Sequence, residues 1–211
     1  SGRTLREGGT PRFFLALSLG VAAAYVAHGL GLRLGDGPRP MLLLPVKAFE
    51  SALWLGALPL ALHAANRPEL APRKSGGEAL WFALGVDADA QRRKRERSGM
   101  RLVLWAVLVP VVVVSVLSLA LSPSLAALGQ RLALLGILSA ACALCALWLG
   151  GLAALFARRG LEGRGALSLL FLFLATEVLS ELADAGWLSV VGLPSELVRA
   201  AVGAMGWGKL E

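Results

Sequence analysis

The sequence predicts an all-α, polytopic integral membrane bundle with five or six transmembrane helices and a cytoplasmic N-terminus. Hydrophobic residues make up 56% of the 211-residue chain and charged residues only 17%, whereas charged residues average about 25% of a globular chain. The apolar residues also form long blocks, with 29 uncharged residues between Arg101 and Arg131 and 26 between Arg131 and Arg158. A helix crosses the bilayer core with about 20 apolar residues, so each block is long enough to span a membrane.

Five apolar segments are predicted to cross the membrane, and together with the remaining residues they form one membrane domain, 1–211. The second segment contains Lys47, Glu50 and two prolines, so we expect it to be kinked or partly re-entrant. A long polar stretch, 66–100, separates the second span from the third. The predicted spans are 12–32, 40–65, 101–121, 131–157 and 165–182.

The C-terminal segment 186–207 is only weakly apolar, and its sequence fits three structures. It is long enough for a sixth span. A re-entrant hairpin broken at Pro194 fits equally well. The third possibility is an interfacial helix that holds Trp187 and Trp207 at headgroup depth, where tryptophan is enriched.

The distribution of lysine and arginine predicts the orientation. Counted from the N-terminal tail through successive loops, these residues number three, two, nine, one and three. Cytoplasmic loops carry the excess of positive charge, which places the N-terminus, the 66–100 loop and the 158–164 loop in the cytoplasm. We expect a multi-pass protein of the bacterial inner membrane. The net charge of +7 is then explained by loops that contact anionic lipid, and nucleic-acid binding is not expected because no stacking aromatics interleave with the basic run.

The cytoplasmic stretch 75–99 begins with an apolar face that includes Leu80, Trp81 and Leu84, and it continues into a charged run from Asp87 to Arg97. Such a segment fits two functions. It can lie on the inner leaflet with its aromatics inserted and its cations held by anionic lipid. Alternatively, it can be a coupling helix that docks into a partner protein.

The stretch also resembles the cytoplasmic coupling segment of bacterial ABC-transporter permeases, in particular the ABC-2 exporter permeases such as the CcmB-like haem-exporter subunit. The resemblance implies about six spans, oligomerisation and a separate ATPase subunit, since the chain has no phosphate-binding loop of its own. It also implies that Glu78, Leu80, Trp81, Leu84 and Gly85 dock the ATPase. The resemblance rests on Arg73-Lys74, Gly77-Glu78-Ala79-Leu80 and Ala83-Leu84-Gly85-Val86.

Two sets of ionisable residues lie inside predicted spans, where such residues are costly and usually face the bundle interior. Lys47 and Glu50 lie three residues apart on the second span. Glu177, Glu181 and Asp184 recur at i, i+4 and i+7, which places them on one face of the fifth span. Both sets lie near the outer side. We consider two interpretations: a polar vestibule for a cation, a proton or a cationic substrate, and a structural ion pair between the two spans.

The remaining chemistry-bearing residues do not suggest a metal, a cofactor or a catalytic site. Cys142 and Cys145 lie one turn apart in an uncharged span and are interpreted as small packing residues. His28 and His63 belong to opposite ends of their spans, about 20 Å apart in depth, which is too far for a shared iron.

These observations leave three classes of function open. The leading interpretation is a membrane transport component, namely the permease subunit of an ATP-driven transporter. The second is a non-catalytic membrane subunit or assembly factor, whose basic loop recruits a partner or anionic lipid. The third is a small intramembrane enzyme.

Overall fold

The computed structural model describes residues 3–35, 39–65, 83–85, 87–122, 124–159 and 164–205. About 90% of the structure is helical, and no strand occurs in this part of the chain. The all-α prediction is confirmed. The helices are α1 (Arg3–Gly35), α2 (Arg39–Ala52), α3 (Leu58–Ala65), α4 (Ala88–Ala120), α5 (Leu125–Arg159), α6 (Gly165–Leu182) and α7 (Leu193–Ala204).

Four helical segments are long and apolar enough to cross a membrane. They match the predicted second to fifth spans in α2–α3, α4, α5 and α6. The predicted first span, 12–32, lies within α1, where the apolar part is the shorter segment Arg12–His28. The membrane-capable segments are Leu43–Ala65, Glu96–Ala120, Leu125–Ala157 and Gly165–Leu182.

The second span contains one widened turn. The π-helical segment Leu53–Ala57 joins α2 directly to α3, so the two form one continuous helix. Gly56 lies in this turn, where a Cβ atom would meet the Ser18 hydroxyl of α1 and would approach Ala106 of α4 to 3.3 Å. The missing side chain therefore allows α1 and α4 to pack directly against the turn. Single π-helical turns occur frequently at functional sites.

Helix α4 occupies the middle of the bundle and packs against α1, α2, α3 and α5. Its buried residues Val103, Val107 and Val111 belong to a continuous apolar core, to which α5 contributes both cysteines and α6 contributes Leu169 and Phe173. Membrane helices commonly pack through small residues that let their backbones approach closely. Gly150 of α5 is an example, because a Cβ atom there would lie 3.2 Å from the Cα atom of Met100.

The boundaries of two predicted elements differ from the structure. Helix α4 begins at Ala88, so the basic run 92–97 is the first part of the third long helix and not a loop. Arginine, lysine, glutamine and glutamate are strong helix formers, which explains the extension. Helix α5 begins at Leu125, and Arg131 is therefore inside the helix and only 5% exposed. Its guanidinium donates hydrogen bonds to the Ser118 carbonyl and, at 3.2 Å, to the Ser122 hydroxyl.

The weakly apolar C-terminal segment folds back into the bundle. It consists of a 3₁₀ turn, Gly186–Leu188, followed by α7. With 12 residues, α7 is about 18 Å long, which is shorter than a span. Pro194 lies in the first turn of α7, where proline is well tolerated, so it begins the helix and does not break it. The buried residues Val191, Val198 and Val202 join the main core.

Candidate functional site

A polar cleft of about 420 Å³ lies where α2, the end of α6 and the C-terminal segment meet. Three carboxylates and one guanidinium line the cleft, together with four serine residues. Its apolar wall comes from the π-helical turn of the second span. The lining residues are Glu50, Ser51, Trp54, Leu55, Glu177, Ser180, Gly186, Ser189, Gly192, Ser195, Glu196 and Arg199.

Arg199 joins two carboxylates in the cleft. Its Nη2 and Nε atoms lie 2.7 Å and 3.1 Å from the same Glu50 oxygen, and its Nη1 atom lies 3.0 Å from Glu196. These bonds attach α7 to α2, across 149 residues of sequence. The hydrogen bond with Glu50 raises the pKa of Arg199 above its ordinary value. The Glu50 side chain is 18% exposed, and its second oxygen lies 3.9 Å from Lys47 Nζ.

Glu177 is the third carboxylate of the cleft, and its surroundings differ from those of the other two. It accepts a hydrogen bond from the Ser189 hydroxyl, which in turn accepts one from the Gly192 N–H at 2.7 Å. Within the described residues, no lysine, arginine or histidine forms an ion pair with Glu177. The cleft therefore carries more negative than positive charge.

Hydrogen bonds hold the returning segment against α5 and α6. The Val190 N–H donates to Thr176 Oγ1 at 3.3 Å, and the Val190 carbonyl accepts from Trp148 Nε1 at 3.2 Å. The Ser180 hydroxyl donates to the Ala185 carbonyl at 3.1 Å. Thr176 lies six residues before Leu182, the last residue of α6, which is about 9 Å along the helix axis. The segment thus reaches back over the last part of α6.

The residues predicted to lie inside the membrane do not form one group, and only some of them line the cleft. Glu50 and Glu177 both line the cleft, although they come from different helices. Glu181 is exposed and does not line it. Asp184 lies beyond the end of α6 in the left-handed region, at φ 46°, so helical spacing does not apply to it. Lys47 does not line the cleft, and its exposed side chain contacts Glu50.

Sequence reasoning missed Arg199 and Glu196, which complete the network. One signal was available: Arg199 is the only lysine or arginine between residues 165 and 205, a stretch that contains four acidic residues. An isolated cation among acids in an otherwise apolar region indicates an ion pair, because an unpaired charge there is costly. That signal does not identify Glu50 as the partner.

The residues predicted to dock a partner lie mostly outside the described part of the chain, namely Glu78, Leu80 and Trp81. Leu84 and Gly85 are described, in a short turn. Leu84 is 66% exposed. Gly85 has a φ of +66°, a conformation that glycine adopts readily, and no neighbouring atom lies within 4 Å of the point that a Cβ atom would occupy.

A second polar feature is a basic stripe on the first turns of α4. Its cations recur on one helical face and, together with Ala90, line a groove of about 270 Å³. The stripe lies at the start of the membrane-capable segment Glu96–Ala120. At the N-terminal end of the stripe, Arg93 Nη2 lies 3.9 Å from an Asp87 carboxylate oxygen. The stripe consists of Arg93, Lys94, Arg97 and Arg101.

Cys142 and Cys145 are fully buried in the core and are not joined by a disulfide. In the described ranges, no group of three or more histidine, cysteine, aspartate or glutamate residues converges as a metal site.

Comparison of the chain with protein-family models, curated proteins and solved structures finds no match. The resemblance to ABC-transporter permeases therefore remains a prediction from residues 73–86.

Proposed function

We propose that this protein is an integral membrane transport component and that the polar cleft is part of its pathway. The observation that carries the proposal is the charged network of Glu50, Arg199 and Glu196 beside Glu177, set among membrane-capable helices. Ionisable residues inside membrane segments typically mark substrate or ion pathways. A purely structural ion pair needs neither an adjoining space of about 420 Å³ nor a further carboxylate.

The topology we propose has five crossing segments, in α1, α2–α3, α4, α5 and α6, with a cytoplasmic N-terminus in a bacterial inner membrane. The C-terminal segment is then re-entrant, and the cleft opens toward the outer side. The loop counts of lysine and arginine support this orientation. Short helices that enter the membrane and face a polar cavity are a common way to build substrate sites in transporters.

We further propose that a separate ATPase drives transport by docking at residues 78–85. The support is the sequence pattern of that stretch and the exposed side chain of Leu84. Movement of the docked segment would pass directly into α4, which begins at Ala88 and contacts α2 and α3. The permease would act as an oligomer, because so few helices enclose only a narrow pathway.

Native mass spectrometry of the complex, extracted gently from its source membrane, tests this proposal. A stoichiometric nucleotide-binding subunit is the expected result, and Leu84→Asp should weaken its binding, because a charge replaces an exposed apolar side chain. Ser98→Asp, which adds a charge at an exposed position beyond the docking stretch, is the control. A bare oligomer, or a partner without nucleotide-binding motifs, would contradict the ATP-driven mechanism.

The basic stripe favours a second candidate function, a non-catalytic subunit that recruits anionic lipid or a partner. Like charges four residues apart destabilise an isolated helix, so a groove formed by four cations favours an anionic occupant. In nanodiscs of mixed lipid, retention of phosphatidylglycerol by the protein should then fall steeply when Arg97 and Arg101 become glutamine. Lipid retention that is independent of these residues would exclude anionic lipid as the occupant of the groove.

A further inference from the structure

The cleft combines a carboxylate that lacks a cationic partner with an apolar wall. Glu177 is hydrogen-bonded to Ser189 and, within the described residues, ion-paired to none. Trp54 and Leu55 line the same cavity and remain 43% and 45% exposed. An aromatic face beside a carboxylate attracts ammonium groups that carry apolar substituents. The carboxylate and the apolar wall can therefore contact the charged part and the apolar part of a single ligand.

The positive charge already in the cleft is offset by two carboxylates. Both ends of the Arg199 guanidinium are occupied, since Glu50 binds Nη2 and Nε while Glu196 binds Nη1. An anionic ligand would therefore meet three carboxylates, Glu50, Glu196 and Glu177, against a single guanidinium. A cation can instead pair with Glu177 without displacing any group that already lies in the cleft.

The size of the cleft indicates an organic ligand. Its volume of about 420 Å³ falls within the range of roughly 300–1,000 Å³ that small-molecule sites occupy. An inorganic ion would need the polar groups to converge closely around one point. Here the polar side chains instead surround a wider space that has an apolar side.

We propose that the cleft binds a small organic cation, an ammonium compound with an apolar substituent, through Glu177 and the wall of Trp54 and Leu55. The inference rests on the proposed transport function and specifies its substrate class. Glu177 is the counter-ion of the ammonium group. Trp54 contacts the apolar substituent. Arg199 remains ion-paired with Glu50 and Glu196, so these two carboxylates do not compete with Glu177 for the ammonium group.

The test is isothermal titration calorimetry of the purified full chain in nanodiscs with benzyltrimethylammonium. Benzyl alcohol and benzoate are neutral and anionic controls of similar shape. We expect saturable binding of the cation at millimolar concentrations or below, and much weaker binding of the other two. A wild-type chain that binds none of the three, or that binds benzoate as well as the cation, would overturn the proposal.

Two matched variants locate the binding. Glu177→Gln removes the charge and retains an acceptor for Ser189, so the affinity should fall by about tenfold or more, as expected for loss of a charge-assisted contact. Glu181→Gln removes the same charge one turn away, at an exposed position outside the cleft, and should change the affinity less than about twofold. Equal losses in the two variants would show binding to surface charge alone and would overturn the site.

Competition by choline chloride and by potassium chloride at equal ionic strength separates organic from inorganic cations. Stronger competition by choline is expected, and equal or stronger competition by potassium would overturn the ligand class. The titration uses the isolated chain, so ammonium binding does not depend on an ATPase partner. A complex that contains an ATPase, but whose membrane subunit binds no ammonium compound, would refute the ligand class and leave the transport proposal standing.

Discussion

The two ends of the bundle are packed in opposite ways. At the end where α3 meets α6, helices approach so closely that a Cβ atom on Gly165 would lie 2.6 Å from the Ala65 carbonyl oxygen and 2.9 Å from that of Phe156. Toward the other end, α2, α6 and α7 enclose a cleft of about 420 Å³ with charged walls. The first end is closed by backbone contact, whereas the cleft is bridged by side chains.

The difference comes from the residue types that each end uses. Glycine and alanine bring backbones together at the closed end, as is common between membrane helices. Glutamate, serine and arginine hold the cleft open because their polar groups need partners. Side-chain bridges such as Glu50–Arg199 can break and re-form without moving a helix axis, so we expect conformational change to be concentrated at the cleft.

The largest loss of stability is expected from adding a side chain where the helices leave no room for one. Gly165→Ala places a methyl group against two backbone carbonyls, which cannot rotate away, and overpacking of this kind costs about 1–3 kcal/mol. Gly136→Ala is the control, since nothing lies within 4 Å of its Cβ position; it should stabilise α5 by up to about 1 kcal/mol. Thermal unfolding in detergent measures both. Equal melting temperatures of the two variants would contradict close backbone packing at this end of the bundle.

An effect of similar size distinguishes two arginines near the cleft end of the bundle. Arg131 is buried and bonds to Ser118 and Ser122, so Arg131→Met should lower the free energy of unfolding by about 1.5–3 kcal/mol. The Arg199 side chain is 44% exposed, and the loss in Arg199→Met should be about 1 kcal/mol or less.

Hydrogen exchange provides the second half of this comparison. Arg199→Met should increase exchange in α7 because the bond to Glu50 is lost, whereas Arg131→Met should leave α7 protected. A reversed pattern, with α7 loosened only by Arg131→Met, would show that Arg199 does not hold the cleft.

A further small effect concerns the two cysteines. Both are fully buried, so N-ethylmaleimide should not label them until the protein unfolds, and Cys142→Ala with Cys145→Ala should keep the fold with a loss of about 1 kcal/mol each. Rapid labelling of the native protein would instead indicate that α5 is accessible and that the core is looser than described.

The long helices could be predicted from the sequence because the length of an uncharged run decides whether it spans a membrane. Glu50 and Glu177 could be singled out because charges in such runs are rare. The pairing of Glu50 with Arg199 could not be predicted, since it depends on how α7 folds back across 149 residues. Asp184 was assigned to the face of Glu177 because a helical repeat was extended two residues past Leu182, where α6 ends.

The most direct test of the account measures access to the cleft in nanodiscs. Ser51→Cys, in a Cys142→Ala and Cys145→Ala background, places a thiol in the cleft wall, and Ala64→Cys places one at the closed end, beside Gly99. We predict that the trimethylammonium methanethiosulfonate reagent labels Ser51→Cys faster than the sulfonate reagent, and that benzyltrimethylammonium slows this labelling, while Ala64→Cys reacts with neither reagent. Equal labelling at both positions, or faster labelling of Ser51→Cys by the sulfonate, would contradict an open, cation-attracting cleft.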